Sequence, residues 1–432
     1  MNQAMPLPKT AVTTAPSRAA EAPANTSKLL SVQEAQSRIM AQLCLMPAAD
    51  IAIQHAMGRV CADNVLAKIS HPPVPVSAMD GYACRSADVG TLPVRLRRIG
   101  TSRAGEHFDG ELTAGACVRI FTGGAVPEGA DVIAIQEDTT ATGDEIEIRE
   151  VAKVGQYIRR AGLDFAAGQI CVEKGRVLTA RDIGLLAASG HMRVPVRRQP
   201  RIAILSTGDE LVAPGIVPGP DQIVSSNGAA IAAAVAAWGA VPIDLGIAPD
   251  RIEAIAAAVG QTGDADMLVT TGGASVGDHD LVQGSLTQRG FVSDFWRIAM
   301  RPGKPLMFGR LGDLPVLTMP GNPVSALVCA LLFLRPALRT MLGLAPAVPA
   351  FEKALLGAAM PENDRREDYV RATLDTTGGG EPVAHPFPTQ DSAMLMTLAK
   401  ADALIRRVPF AKPTQPGDEV EIIRLDAAAG GF

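Results

Sequence analysis

Several short segments carry residues whose types and spacing could do chemistry. Thr271-Gly-Gly-Ala-Ser-Val-Gly follows an apolar run and offers bare backbone N–H groups and two hydroxyls, the means of cradling a phosphate or another oxyanion. An ordinary strand-to-helix turn uses the same residues. Carboxylates sit beside it: Asp209 and Glu210 after an earlier apolar run, Asp278 and Asp280 after the glycines. Acidic groups next to a phosphate need a cation between them, and Mg²⁺ suits hard oxygen donors; helix capping by Asp209 or Asp278 is the alternative. Arg297, Arg301, Lys304 and Arg310 lie close together in the chain. Pro302 and Pro305 keep Arg301-Pro-Gly-Lys-Pro out of a regular helix interior. Two cations in a stiff loop can clamp an oxyanion, and a solvated basic loop is the competing reading. Asp80-Gly and Thr122-Gly-Gly, taken alone, read as turns. Neither GxGxxG nor GxxxxGK[ST] occurs, which disfavours ordinary dinucleotide or P-loop binding.

These loops need elements to position them. Arg201-Ile-Ala-Ile-Leu, Asp266-Met-Leu-Val-Thr and Pro315-Val-Leu-Thr-Met are short apolar runs, each leading into a Gly-containing loop. Helical stretches fall around Ala229–Trp238, at Asp250–Val259 and after Pro323. The alternation predicts an α/β domain with a mostly parallel sheet, in which ligands bind beyond the carboxyl ends of the strands. All three loops occupy that position. Ser31 and Glu34 form a capping-box pattern ahead of an amphipathic helix ending near Met46. His71-Pro-Pro-Val-Pro-Val-Ser reads as a stiff linker, and Ile99 to Ile148 as short strands with Gly-rich turns. After Leu344 a Pro-rich linker leads to alternating stretches, including Asp368–Leu374 and Glu419–Leu425, that suit a small β domain. Residues 1–27, rich in Ala, Pro, Thr and Ser, read as a disordered tail.

The length of 432 residues suggests about three domains. A net charge of −5 and 4% aromatics argue against nucleic acid as a partner, since both general electrostatic coating and stacking platforms are disfavoured. The six cysteines are scattered without a CxxC and the six histidines without an HxxxH, so no zinc site or disulfide framework is expected and a reduced, cytoplasmic protein is. The most apolar run, Ser325 to Leu334, has roughly half of the ~20 residues that a membrane span needs, so no membrane partner is expected.

In order along the chain, Ser77-Ala-Met-Asp-Gly-Tyr-Ala, Arg119-Ile-Phe-Thr-Gly-Gly, Arg159-Arg-Ala-Gly-Leu-Asp, Ser206-Thr-Gly-Asp-Glu-Leu, Gly272-Gly-Ala-Ser-Val-Gly, Arg301-Pro-Gly-Lys-Pro and Pro320-Gly-Asn-Pro-Val-Ser resemble the molybdopterin molybdenumtransferase family of bacterial MoeA and the gephyrin E domain. The resemblance runs from about residue 28 to 425. It implies a multidomain α/β-plus-β fold. A helical N-terminal domain (28–70 and 151–196) is interrupted by a β-rich domain (71–150). An α/β molybdopterin-binding domain (197–344) and a C-terminal β domain (345–432) follow the tail 1–27 and these two. It further implies a homodimer and an Mg²⁺-dependent transferase that inserts molybdate into adenylylated molybdopterin and releases AMP. The adenylyltransferase that supplies this substrate and the chaperones of recipient molybdoenzymes are the implied protein partners.

Residue by residue, the resemblance places Asp80 and Thr122 of one subunit near the α/β domain of the other, and Asp164 at a further acidic position. Arg301, Lys304, Ser325, Arg371 and Ser392 are implied to hold molybdate, with Arg297 and Pro305 beside them. Gly272, Gly273 and Ser275 are implied to contact phosphate. Glu210, Asp250 and Asp280 are implied to position Mg²⁺, the pterin substrate or the pyrophosphate under cleavage. The chain departs from the family at Arg297 and Arg301, where lysine is frequent, at Arg251, where a second aspartate is frequent, and in Asp278-His-Asp-Leu, where an aromatic commonly follows the second carboxylate. A tungstate-preferring paralogue would share these motifs. Two further readings remain at this point. A non-catalytic molybdopterin-binding scaffold would keep the pocket without turnover, and an unrelated α/β nucleotide-binding enzyme would bind NAD or ATP.

Overall fold

The computed structural model describes residues 29–273, 281–345, 348–377 and 380–425. The expected tail 1–27, together with Ser275, Asp278 and Asp280, lies outside the described residues.

The α/β sheet has six strands: β1 (Arg201–Thr207), β2 (Val241–Ala248), β3 (Met267–Thr271), β4 (Phe291–Trp296), β5 (Met307–Leu311) and β6 (Leu314–Met319). Their order is β2-β1-β3-β6-β5-β4. β2, β1, β3 and β6 run parallel, and β5 is antiparallel to both β6 and β4. β1 and β3 are buried along nearly their whole length, as strands covered on both faces must be. Helices Asn227–Ala237 and Ile252–Val259 match the expected ones to within a turn.

After β6 a continuous helical segment, Pro323–Leu342, holds a π turn at Ala330–Leu334 and ends at Gly343 with φ +73°. Its length and apolarity would suit a membrane span, but 78% of its apolar window is buried inside the protein, so it is a core helix. The apolar stretch read from the sequence was shorter because Arg335 interrupts it, whereas the helix continues through Arg335.

The first helix, Val32–Ala41, shows half of the expected capping box: the Ser31 hydroxyl accepts from the Glu34 amide at 3.1 Å, while the Glu34 carboxylate pairs with Arg38 at 3.0 Å. The helix ends before Met46. Its buried residues Val32, Ala35 and Ile39 join the main core of the α/β domain, with Leu331, Leu338 and Met341.

The expectation of a helical N-terminal domain is corrected by what remains once this helix docks elsewhere. The region is built from two-stranded antiparallel ribbons: Ala48–Ala52 with Arg193–Arg197, Val65–Leu66 with Ile170–Val172, and Val76–Ser77 with Ile158–Arg159. One helix, Ala180–Ala188, covers them behind a Thr179/Asp182 capping box. Ala56, Cys61, Val65, Val172, Leu178, Leu186, Val194 and Val196 form its core. Small β-branched and sulfur-bearing side chains fill narrow ribbons and leave little for a helical bundle to bury.

Between these ribbons lies a six-stranded sheet in the order Val132–Ile135, Gly81–Cys84, Ala116–Ile120, Val94–Ser102, Glu145–Ile148, Thr139–Thr142. At the C-terminus, Glu367–Asp375, Val383–Pro386, Glu352–Leu356, Glu419–Arg424 and Ala403–Arg407 close into a barrel, because the first and last of these also pair. Met300–Arg301, from the chain leaving β4, adds in parallel to Glu367–Asp375 and joins the barrel to the α/β domain.

Candidate active site

A cleft of about 760 Å³ opens at the carboxyl ends of β1, β3 and β6, lined among others by Thr207, Glu210, Asn227, Asp250, Gly272, Gly273, Pro305 and Asn322. Its floor depends on glycine. Gly272 has φ +96°, and an added Cβ would overlap the Thr207 carbonyl oxygen; Gly273 has φ +64° and would strike the Val282 side chain. Adjacent strand ends therefore approach more closely than any side chain permits.

Polar side chains tie the strand ends together. Asn227 Nδ2 donates to Thr271 Oγ1 at 2.8 Å and to the Gly321 carbonyl at 2.7 Å. Thr271 Oγ1 donates to the Pro320 carbonyl at 3.1 Å. Asn322 Nδ2 donates to Ser392 Oγ at 2.8 Å, and the Val324 amide to the Ser392 carbonyl at 3.0 Å. The C-terminal barrel thus supplies one wall, and Ala393 and Leu395 line the cleft with it.

The acidic side of the cleft holds Glu210 and Asp250. The Asp250 amide donates to Asp209 Oδ1 at 3.0 Å. Burial, and then the charges of Asp209 and Glu210, push the Asp250 carboxyl above its ordinary range. Asp250 Oδ1 is buried and has no hydrogen-bond partner among the described residues. Among the described residues no group of three or more His, Cys, Asp or Glu side chains could hold a metal. Two carboxylates completed by substrate phosphates and water are, however, the usual Mg²⁺ arrangement, and a carboxylate pair with an orphaned oxygen fits it. No Lys or Arg is found among the described residues that line the cleft.

Of the expected oxyanion residues, Arg301 and Arg371 border a second cavity of about 540 Å³, together with Asp368, Gln390 and Arg407, whereas Lys304, Ser325 and Ser392 do not line it. Arg301 is ion-paired with Asp368 and lies 3.6 Å from Asp364. Arg371 is 2% exposed; its Nε donates to Gln390 Oε1 at 3.1 Å and its Nη1 to the Met394 carbonyl at 3.3 Å. Burial lowers the Arg371 pKa, with Asp391 opposing the shift. Lys304 is half-buried in the loop that carries Pro305 into the cleft, its carbonyl accepting from the Ile298 and Leu306 amides. Arg297, at φ +77°, lies with its guanidinium 4.3 Å from the Trp296 ring centroid. Ser325 is buried at the start of the core helix.

Asp80, Thr122 and Asp164 do not line the strand-end cleft. In the inserted sheet the Thr122 amide and hydroxyl both donate to Asp80 Oδ1 at 2.8 Å. These bonds hold the Asp80 carboxyl below its ordinary range. Asp164 borders a separate cavity of about 690 Å³ with His71, Arg103 and Arg159. Asn227, Asn322 and Gln390 were not singled out in the sequence. Asn322 lies inside a recognised motif, whereas Asn227 carries no local signal beyond following Ser225-Ser226.

Fold and cleft together define a multidomain protein whose α/β domain opens a polar cleft beyond its parallel strands, the place where such sheets bind ligands. Family models match in sequence order: the MoeA N-terminal region (domain I and II) over residues 30–190, a probable molybdopterin binding domain over 203–340, and the MoeA C-terminal region (domain IV) over 353–425. The chain is 36% identical over 370 residues to molybdopterin molybdenumtransferase 2 of Mycobacterium tuberculosis, spanning 82% of this chain and 91% of that one. Similarity to the molybdopterin molybdenumtransferase of Haemophilus influenzae is 36% over 318 residues, covering 73% of this chain and 78% of that one. A crystal structure of a molybdopterin biosynthesis MoeA protein from Pyrococcus horikoshii superposes with a TM-score of 0.83 at 29% identity, over 92% of this chain and 100% of that one. The chain belongs to the MoeA family of molybdopterin molybdenumtransferases.

Proposed function

We propose that the chain is a transferase of molybdenum cofactor biosynthesis that inserts molybdate into adenylylated molybdopterin and releases AMP. The carrying observation is the strand-end cleft, where glycine-bared backbone and hydroxyls meet two carboxylates in a chain whose three matched regions all belong to this family. The substrate brings its own dithiolene sulfurs, so the protein needs no Cys or His cage for molybdenum. Its six cysteines are free, and four of them are buried.

In this reading Gly272 and Gly273 present backbone to the phosphate, while Asn227 holds the loops at the spacing the ligand needs. Glu210 and Asp250 would hold Mg²⁺, with Asp280 joining them by resemblance. The ion would neutralise charge on the phosphoryl group under cleavage. Arg371, Ser392, Lys304 and Ser325 receive the tetrahedral oxyanion. Arg301 and Arg297 add positive field, that of Arg301 reduced by Asp368. Catalysis here is positioning plus electrostatic stabilisation.

Asp80 and Thr122 act in this reading from a second copy of the chain, because they stand outside the cleft of their own, and Asp164 takes a further acidic position by resemblance. The domain division at residues 70, 150, 196 and 344 belongs to the same proposal. The test is incubation of the full chain with adenylylated molybdopterin, Mg²⁺ and molybdate, with tungstate in parallel, following AMP release and metal incorporation. AMP release with metal-loaded pterin supports the reading; pterin binding without AMP release overturns it in favour of a scaffold.

A further inference from the structure

Three arginines border the same cavity; Arg407 is spent on Thr414 Oγ1 and the Pro361 and Lys412 carbonyls, and the other two are held in opposite ways. Arg301 is paired with carboxylates, Asp368 and Asp364. Arg371 is held by uncharged acceptors, Gln390 Oε1 and the Met394 carbonyl, and it forms no ion pair among the described residues. Asp391, the acidic group whose field reaches it, accepts from the Ala393 amide at 2.8 Å.

Gln390 makes the link in both directions. Its Oε1 accepts from the Arg371 amide at 3.0 Å as well as from Nε, and its Nε2 donates to the Arg371 carbonyl at 3.0 Å and the Phe387 carbonyl at 2.9 Å. A neutral amide can do both, whereas a carboxylate accepts only. Two residues on, Ser392 takes hydrogen bonds from Asn322 and Val324 at the strand-end cleft.

We propose that Gln390 is a positioning residue that locks the Arg371 guanidinium and the Ser392 loop into one unit. It does so while leaving the arginine's charge uncompensated for a tetrahedral oxyanion. The inference rests on the functional reading above, in which that oxyanion is molybdate. It also ranks the two arginines, Arg371 being the receptor and Arg301 the anchor.

The test compares the full chain with Gln390→Ala and Gln390→Glu. Molybdate is titrated into the AMP-release reaction, and molybdate alone is titrated calorimetrically. Both variants are expected to raise the molybdate KM and Kd roughly tenfold or more, the scale of a lost hydrogen bond to a charged group. The kcat at saturating molybdate is expected to stay within about twofold, the signature of lost binding alone. Gln390→Glu retains the two acceptor bonds and so guards against a folding defect, yet it cancels the charge of Arg371. Amide exchange at Val324 is expected to quicken in Gln390→Ala. Unchanged molybdate KM and Kd in both variants, beside an active parent, overturn the inference alone, as does a fall in kcat or melting temperature without a change in KM. A parent chain that releases no AMP overturns the functional reading and the inference with it.

Discussion

Arg301 and Asp368 form a salt bridge that joins the α/β domain to the C-terminal barrel. Arg301 Nε donates to Asp368 Oδ2 at 3.0 Å, with Nη2 on the same oxygen. Strand register makes the pair, since Met300 faces Glu367 and Arg301 faces Asp368. Asp368 is 6% exposed; burial raises its carboxyl pKa and Arg301 opposes that rise. Arg301→Met removes the cation and leaves the Asp368 carboxylate buried without it, and is expected to lower stability by ~1–3 kcal/mol, below the ~3–5 of a fully buried pair because the Arg301 side chain is half exposed. Denaturant unfolding measures it, and a change under ~0.5 kcal/mol would remove the anchoring role.

Gln36 and Leu332 show a second device. Pro336 has no N–H, so the Leu332 carbonyl lacks the usual donor four residues on. Gln36 Nε2 supplies one at 2.8 Å. Gln36→Ala therefore leaves a buried acceptor unmet and is expected to cost ~1–3 kcal/mol, read as a lower melting temperature. Gln36→Glu should be as harmful, since it cannot donate.

Asp80 titrates below its ordinary range because Thr122 donates two hydrogen bonds to it. A lowered folded-state pKa stabilises the fold above the unfolded value, and that contribution disappears as pH falls through the folded one. Thr122→Val keeps the amide bond and removes the hydroxyl bond. The Asp80 carboxyl should then titrate at higher pH by NMR, and acid unfolding should begin earlier. An unmoved titration would show that the hydroxyl does not set it.

The sign is opposite at Asp250, whose pKa is raised by burial and by Asp209 and Glu210. Ionisation here opposes folding, so stability is lost as pH rises from the ordinary carboxylate value through the raised one. Asp250→Asn is expected to raise the melting temperature of the ligand-free protein at neutral pH. It should at the same time reduce kcat roughly hundredfold or more, as loss of a charge-stabilising group at the reacting centre does. Full activity in this variant would remove Asp250 from the site.

Gly272 admits no side chain, since a Cβ would meet the Thr207 carbonyl oxygen and φ is +96°. Gly272→Ala is expected to cost ~1–3 kcal/mol in strain and backbone shift, and to weaken molybdopterin binding measured by fluorescence quenching. Unaltered binding would show that the strand ends can part without consequence.

Much of the architecture was legible in the residues themselves. β1, β3 and β6 read as strands because doubly covered parallel strands are apolar throughout and end at Gly or Pro. Their order along the chain placed the cleft before any contact was known. The ribbons at Val65–Leu66, Val76–Ser77 and Ile158–Arg159 are too short for a two-residue period to register. That shortness left the region without a strand signal, and the expectation of a helical domain rested on the family resemblance; the one helix read from the residues there, Val32–Ala41, docks onto the α/β core.

The amino-acid order alone determined the donor and acceptor types, the backbone freedom at Gly272 and the stiffness of Arg301-Pro-Gly-Lys-Pro. It could nominate Arg301 and Arg371 alike as cations for an oxyanion. Only the tertiary structure decided between their states, by placing Asp368 against one and Gln390 against the other, 67 and 19 positions away in the chain. Electrostatic interaction falls with distance in space and with solvent access, and neither quantity is written in the spacing of residues along the chain.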